Sequence, residues 1–520
     1  MSAADVIEFL SQPDGYSDEP TRVDIKETHI SLVFLTRRFA YKLKKAVRFD
    51  FLDFSTLEKR KHACDTELQL NRRLAPTVYL NVVPVRQTRN GKLSIGGAGE
   101  TVEWLVKMRR LDDANTLTQV IASGGPSSEQ TSALGKRLAA FYIGQAPAVV
   151  KSDEFAVSLV NHIAANRSEI VRLVPDRSGE ISAAHAAQLR FTQLLRPIFN
   201  DRVCDGRIVD GHGDLRPEHI YFEKEPIVID CIEFNDEYRQ NDIVDELSFL
   251  SMECDAIGCG ELGDSILQTY FAESGDQCEA SLVAFYKCYR ACVRAKVAAL
   301  RNEQLSTSGG QCEDKHIGAY LDLASRYSRG LGPKLVVTIG GLMGTGKSTV
   351  ASLLAEQLRA ELLQTDCIRN DLYARDDGVG YGKGKYSPEI RNRVYSVMFG
   401  AVRSSLELNP TIVLDGTFAT EDLRNAVRAI AEEAGAKWLH VECYCPKEVS
   451  IQRIVKRRAS NHSESEARPE LYDRQSAEYE PCSTSSDAIR LDTTWPVEDQ
   501  LDTVLRMVRE LAMNAVPSRV

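Results

Sequence analysis

The sequence predicts a mixed α+β domain over residues 1–330 and an α/β domain with a parallel sheet over residues 331–520. Length is the first observation: 520 residues exceed one ordinary hydrophobic core. The second is order. Strand-rich segments open the chain and long helical patterns follow, whereas strands and helices alternate beyond the Gly/Pro-bearing segment Ser328–Lys334.

Taken in order, Thr28–Lys45 (THISLVFLTRRFAYKLKK) is rich in β-branched and aromatic residues and predicts strands. A helix is expected from about Ser55 to Leu74, then a strand at Val78–Val85. The turn pair Asn90-Gly91 precedes a strand at about Thr101–Met108. Leu117 to Asn200 reads as mostly helical, and short strands surround a loop over Ile208–Asn235. Helices resume to about Tyr327. The apolar run Leu335–Ile339 is a buried strand, and Ser348–Leu358 is a helix.

Net charge is −10, so the summed field repels phosphate backbones and anionic membranes; nucleic acid and membrane are disfavoured as partners. The opening MSAADVIEFLSQPDG carries acids early and has no apolar stretch of signal-peptide length. No apolar run approaches the roughly 18 residues of a span. Thirteen cysteines stand singly, without framework spacing. Cys254 with Cys259 and Cys443 with Cys445 lack a matching second pair, so buried thiols are the better reading than zinc. A reduced, cytoplasmic protein is expected.

Gly341-Leu342-Met343-Gly344-Thr345-Gly346-Lys347-Ser348 fits G-x-x-x-x-G-K-S, followed by Thr349 in the helix start. The motif sits between the strand and the helix that it requires. Gly341, Gly344 and Gly346 free the backbone N–H groups to curl around phosphate, and the helix N-terminus adds positive potential. Lys347 is suited to the β- and γ-phosphates, and the Ser348 hydroxyl to Mg²⁺. ATP and Mg²⁺ are the cofactors implied, with GTP left open.

Thr411–Asp415 is an apolar strand ending in a carboxylate, where Asp415 can organise Mg²⁺. Asp366 lies where the second strand should end, and Arg369 follows one helical turn later. An acid and a cation so placed face an acceptor; the plain alternative is a capping Asp and a solvated Arg. Arg453, Arg457 and Arg458 precede the polar stretch 459–470, a pattern for a mobile lid or a merely basic helix face. These residues resemble the P-loop kinases of the nucleoside-monophosphate-kinase-like class over about Lys334–Leu511. Their D-x-x-R segment is similar to that of adenylylsulfate kinase and polynucleotide kinase, with gluconate kinases and zeta-type toxins as cousins. The resemblance implies Asp366 as acceptor-side acid or base and Arg453 and Arg457 as lid arginines.

In the first half, His212-Gly213-Asp214-Leu215-Arg216-Pro217-Glu218-His219 precedes Val228-Ile229-Asp230. One carboxylate can take a hydroxyl proton while the second holds Mg²⁺ against ATP. Lys42 ends a strand, and Glu67 on the next helix can pair with it. Together these resemble the aminoglycoside phosphotransferase and choline kinase branch of the kinase fold, whose loop reads H-G-D-x-x-x-x-N. The resemblance implies Asp214 as base, Asp230 as metal ligand, Lys42 with Glu67 as the ion pair, and Met108–Leu111 as a hinge near adenine. It also implies Asp242 and Asp245 as acids bracing the catalytic loop. Two departures stand out. His219 replaces the Asn that would hold a second Mg²⁺, and imidazole suits that ion less well. The segment HISLVFLTRRF has no glycine. An active kinase, a nucleotide-binding pseudokinase and an unrelated loop all stay open.

Tyr289, Arg290, Arg294 and Lys296 lie on one late helix, suited either to an acidic substrate or to structural salt bridges with acids such as Glu246. The whole chain resembles bacterial two-domain proteins that join an aminoglycoside-phosphotransferase-like domain to a P-loop ATP-binding domain. Aminoglycoside resistance does not follow from this. The function expected is phosphotransfer from ATP to a hydroxyl of a small-molecule acceptor at two sites. The alternatives are an N-terminal receptor that gates the second half, or a nucleic-acid end kinase.

Overall fold

The computed structural model describes residues 3–49, 52–308, 314–373, 387–408, 410–459 and 469–513. A six-stranded antiparallel sheet opens the chain. Its strands run in the order Asp24–Glu27, Ser31–Leu35, Phe39–Lys44, Glu100–Arg109, Tyr79–Gln87 and Leu93–Ile95. Period-two alternation explains the Phe39–Lys44 strand. Tyr41 and Leu43 join Phe34 and Leu105 in an apolar cluster capped by Val6 and Leu10 of the Ala3–Ser11 helix. Ala40, Lys42 and Lys44 take the other face, towards the helix Leu57–Asn71. The Thr56 side chain accepts from the Lys59 N–H to start that helix.

Two strands of this sheet escaped the sequence reading. Asp24–Glu27 is charged and largely exposed, as an edge strand can be, and Leu93–Ile95 is too short to show alternation.

Helices Leu117–Ala122, Ser128–Ile143, Ser152–Leu173, Ser178–Leu194 and Arg196–Cys204 follow. Two small antiparallel ladders then frame the loop at 211–219. Ile208–Asp210 pairs with Gln240–Asp242, and Ile220–Phe222 pairs with Pro226–Val228. Helices Ile243–Ala256, Gly260–Ser274, Ala280–Ser308 and Asp314–Ser328 complete this half.

Beyond residue 334 the sheet is wholly parallel, in the order Glu361–Gln364, Thr411–Asp415, Leu335–Gly340, Lys437–Tyr444 and Ala488–Asp492. Every residue of the central strand Leu335–Gly340 is buried, because helices cover both faces. The two sheets fall on either side of residue 331, but the largest apolar cluster runs across it. Helix Ser178–Leu194 packs on helices Lys347–Leu358 and Val497–Met513, and the cluster takes in Leu194, Leu331, Leu354 and Val508. Arg509 Nε donates to the Gln193 carbonyl at 3.1 Å, and the Gln193 amide reaches Gln357 at 2.9 Å.

No helix among the described residues is long and apolar enough to cross a membrane. No disulfide joins the described cysteines. Cys254 and Cys443 are buried, and no group of three or more His, Cys, Asp or Glu among the described residues could hold a metal.

Candidate functional site

The glycine loop turns directly out of the Leu335–Gly340 strand. Gly341, Gly344 and Gly346 all have positive φ (135°, 77° and 89°), a region L side chains rarely enter. Space is short as well: a Cβ on Gly344 would lie 2.5 Å from the Ser450 carbonyl oxygen. Gly346 caps helix Lys347–Leu358, so the N–H groups that open this helix, without an acceptor inside it, adjoin the loop. Lys347 Nζ lies 3.5 Å from the Leu342 carbonyl, folded back over its own loop. Ser348 is half-buried and Thr349 exposed in that first turn. The Thr345 hydroxyl is spent inside the loop, donating to the Leu342 carbonyl at 2.8 Å.

Asp415 stands in register with Ile339, at the C-terminal end of the strand beside the one that feeds the loop. Its Oδ2 accepts from the Gln364 amide at 3.0 Å, whereas Oδ1 is buried without a hydrogen-bond partner. A buried, half-unsatisfied carboxylate beside a phosphate cradle suits a hard cation. Ser348 and Asp415 therefore fit Mg²⁺, and the glycine loop with Lys347 fits a triphosphate.

Asp366 and Arg369 open helix Thr365–Leu372 at the end of the neighbouring strand and pair with each other. The turn after Asp415 is strained, Phe418 having φ 46°. It is held by the Tyr395 hydroxyl, which accepts from the Phe418 N–H at 2.9 Å, and by Arg424, which donates to the Phe418 carbonyl at 2.9 Å. Gly341 N–H also donates to the Thr417 carbonyl at 3.1 Å, so this turn carries one wall of the loop. No sequence signal marks Tyr395, from helix Pro388–Leu408 before the strand, or Arg424, from helix Glu421–Glu433 that follows the turn.

Arg453 is already engaged. Its guanidinium donates to the Thr493 carbonyl at 2.7 Å, the Thr493 hydroxyl at 3.1 Å and the Thr345 carbonyl at 3.4 Å, bracing the loop from its protein side. Arg457 is half-buried on the same helix. The Arg458 side chain and residues 460–468 of the expected lid lie outside the described residues.

In the first half the structure brings together Lys42, Glu67, Asp214, His219 and Asp230. Lys42 Nζ lies 2.9 Å from Glu67 and 2.6 Å from Asp230. Asp230 has φ 66°, and its N–H donates to the Tyr79 hydroxyl at 3.2 Å. His219 sits between the two loop acids, with Nδ1 3.6 Å from Asp214 Oδ2 and Nε2 3.7 Å from Asp230 Oδ2. Arg216 Nε lies 2.9 Å from Asp214. Burial works against the charged form of both acids. Lys42 and then His219 outweigh it at Asp230 and hold that carboxyl well below the carboxylate range. Arg216 and His219 do the same, more mildly, at Asp214.

Sequence reading missed Lys44 and Glu233. Lys44 shares the inward face with Lys42, is fully buried, and pairs with Glu67 at 2.7 Å and with Glu233. The loop brace is also corrected: it is Glu246, not Asp242 or Asp245. Glu246 accepts from the backbone N–H groups of His212 and Gly213, both at 2.6 Å. Asp242 instead takes Arg202 through both oxygens at 2.7 and 2.9 Å, and Asp245 takes Arg290 at 2.7 and 2.8 Å. Arg294 pairs with Glu253 at 2.7 Å. These arginines make structural salt bridges; Arg290 finds Asp245 rather than Glu246.

A family model described as an AAA domain matches residues 335–482. Among solved structures, a gluconokinase from Sinorhizobium meliloti 1021 is 16% identical and covers 35% of this chain and 95% of its own, at a TM-score of 0.28. The APS kinase of Mycobacterium tuberculosis, solved with AMPPNP and APS, is 20% identical and covers 34% and 98%, at a TM-score of 0.25. Among curated proteins, "Uncharacterized protein Rv2004c" of Mycobacterium tuberculosis is 32% identical over 465 residues, 86% of this chain and 88% of the relative. "Uncharacterized protein Mb2027c" of Mycobacterium bovis matches to the same extent. The second half is thus a P-loop α/β domain, and the chain as a whole belongs to the family of these mycobacterial proteins.

Proposed function

We propose that the protein is an ATP-dependent phosphotransferase acting on small molecules, with one site in each half. The observation that carries this reading is the juxtaposition at the P-loop. Lys347 folds over a glycine cradle, and Asp415 presents an unsatisfied carboxylate oxygen at the end of the adjacent strand. Bound MgATP supplies the phosphoryl group. The protein's part is to position it: the loop N–H groups and Lys347 hold the phosphates, and Ser348 and Asp415 hold the metal. Asp366 and Arg369 face the acceptor, with Asp366 placed to take the hydroxyl proton. Arg453 enters as a brace of the loop, and Arg457 as the cation nearer the expected lid.

In the first half, which the reading treats as a kinase-like domain of the aminoglycoside phosphotransferase type over 1–330, Lys42 fixed by Glu67 meets the phosphates. Asp230 ligates Mg²⁺ and Asp214 takes the acceptor proton. Support comes from the convergence of these residues across some 190 positions of sequence on one cleft, and from the positive φ of Asp230. The test is ADP release across a metabolite panel, with Lys347→Ala and Asp214→Ala made separately. Acceptor-dependent turnover untouched by both changes overturns the assignment.

A second reading is favoured by one observation. Asp214 already has Arg216 on one side and His219 on the other, which suits a nucleotide-binding receptor that gates the P-loop half. Magnesium-dependent ATP binding in a Lys347→Ala chain, without transfer, together with turnover restored by His219→Asn, selects this reading over the first.

A further inference from the structure

Of the three late-helix cations singled out in the sequence, Arg290, Arg294 and Lys296, the last is the one that the ion pairs above leave over. Arg290 is held by Asp245 and Arg294 by Glu253, but Lys296 makes no ion pair among the described residues. Its ammonium donates to the Asn166 carbonyl oxygen at 2.6 Å. Asn166 is only 3% exposed, and its amide nitrogen has no hydrogen-bond partner. A buried donor left without a partner is costly, so such a group calls for an acceptor.

His162 lies one helical turn before Asn166 on helix Ser152–Leu173, on the same face, and is exposed to solvent. Neighbouring groups desolvate the covered part of the ring, and this, then Lys296 and Arg290, pushes its imidazole below the usual value, with Glu237 opposing. The charged groups facing this spot are Lys296 and Arg290 from helix Ala280–Ser308, and Glu237 from the turn Asp236–Tyr238. Glu169, on the helix of His162, acts on Lys296 but is itself paired with Arg172 at 3.0 Å. The turn that carries Glu237 abuts the catalytic loop: a Cβ on Gly213 would lie 2.9 Å from the Tyr238 carbonyl.

We propose that Lys296, Asn166 and His162 form an oxyanion-binding site between helices Ser152–Leu173 and Ala280–Ser308, which takes a phosphate or carboxylate group of a small molecule. Lys296 supplies charge, the Asn166 amide a fixed donor, and His162 a second donor at the mouth. The site stands on these side chains alone and does not depend on phosphotransfer in either half.

The test is a titration of the full-length chain, with the P-loop saturated by MgADP, followed through the His162 imidazole resonance. His162→Gln assigns that resonance among the nine histidines. Sodium phosphate and sodium malonate form the two arms, with chloride as ionic-strength control. The expected result is a saturable shift of the His162 resonance in one arm or both. The arm that saturates lower names the ligand group, and Lys296→Gln should weaken the effect at least tenfold. Nucleotide affinity in Lys296→Gln should be unchanged. No saturable shift in either arm, or an undiminished shift in a folded Lys296→Gln protein, overturns the site. Neither result bears on whether Lys347 or Asp214 supports turnover.

Discussion

Exchanging Glu246 for Gln tests how the loop at 211–219 is held. The wild-type carboxylate is only 1% exposed and accepts four hydrogen bonds, two at each oxygen. Oε2 takes the His212 N–H at 2.6 Å and the Tyr142 hydroxyl at 2.8 Å; Oε1 takes the Gly213 N–H at 2.6 Å and the Asn241 amide at 3.1 Å. Glutamine keeps one oxygen and puts an amide N–H₂ in place of the other, so at least one backbone N–H, that of His212 or Gly213, meets a donor, and the remaining bonds lose their charge. Hydrogen bonds to a charged group are worth about 1.5–3 kcal/mol each, which gives a loss of at least about 2 kcal/mol. That is a large part of the about 5–15 kcal/mol that holds a domain together. The measurement is urea unfolding of the full chain. Because the apolar core runs across residue 331, the midpoint of the whole chain should move to lower denaturant. Magnesium-dependent nucleotide binding in the first half should weaken in parallel. A stability change below about 1 kcal/mol would mean that these bonds do not anchor the loop, and the reasoning fails.

Four further outcomes are expected. Lys347→Ala should weaken nucleotide binding at the P-loop by about 10–100-fold, the worth of one charge-assisted contact, and calorimetry should show binding at the site proposed for the first half unaffected. Gly344→Ala combines a positive φ with a 2.5 Å approach to the Ser450 carbonyl; it should abolish nucleotide protection of the second half even where the fold survives, as circular dichroism would show. Asp415→Asn should leave the Gln364 contact possible but remove the charge beside the loop, so that the magnesium dependence of nucleotide binding flattens while metal-free binding changes little. The last concerns pH. His440 is fully buried, and burial followed by Arg424 lowers its imidazole from 6.5 to about 3. Folding then excludes a proton that the unfolded chain binds, so the contribution is present above about 6.5 and lost as pH falls towards 3. About 2 kcal/mol should be gone at pH 5. Denaturation of the second half at pH 7 and pH 5 measures this, and His440→Gln should remove that share of the pH dependence.

The P-loop was legible because its physics is local. A strand, a glycine turn and a helix start are consecutive in sequence, and Lys347 and Ser348 sit inside the same motif. Asp415 and Asp366 were legible as acids at strand ends, since a parallel sheet lines such ends up. The first half was readable only in part. Lys42, Glu67, Asp214 and Asp230 stood out as residue types near strands and turns, and they do converge. Lys44 and Glu233 did not stand out, because a buried charge pair looks like surface residues until the fold removes the water. The choice among Asp242, Asp245 and Glu246 turned on which side of one helix turn meets the loop, and neighbouring acids at the buried start of a helix give no sequence clue to that. Tyr395 and Arg424 carry no pattern at all, for their role is set by how the helices on either side of the strand Thr411–Asp415 meet the turn at Phe418.

Helix Ser178–Leu194, sandwiched between the early helices and the pair that flanks the parallel sheet, has a practical consequence. Severing the chain near residue 331 strips one side of that helix and bares apolar side chains, each worth about 1.5–3 kcal/mol when shielded from water. Separately produced fragments should therefore be sticky and poorly soluble, and should recover when mixed. The roles proposed for either half are best pursued by point changes in the intact polypeptide rather than by scissors.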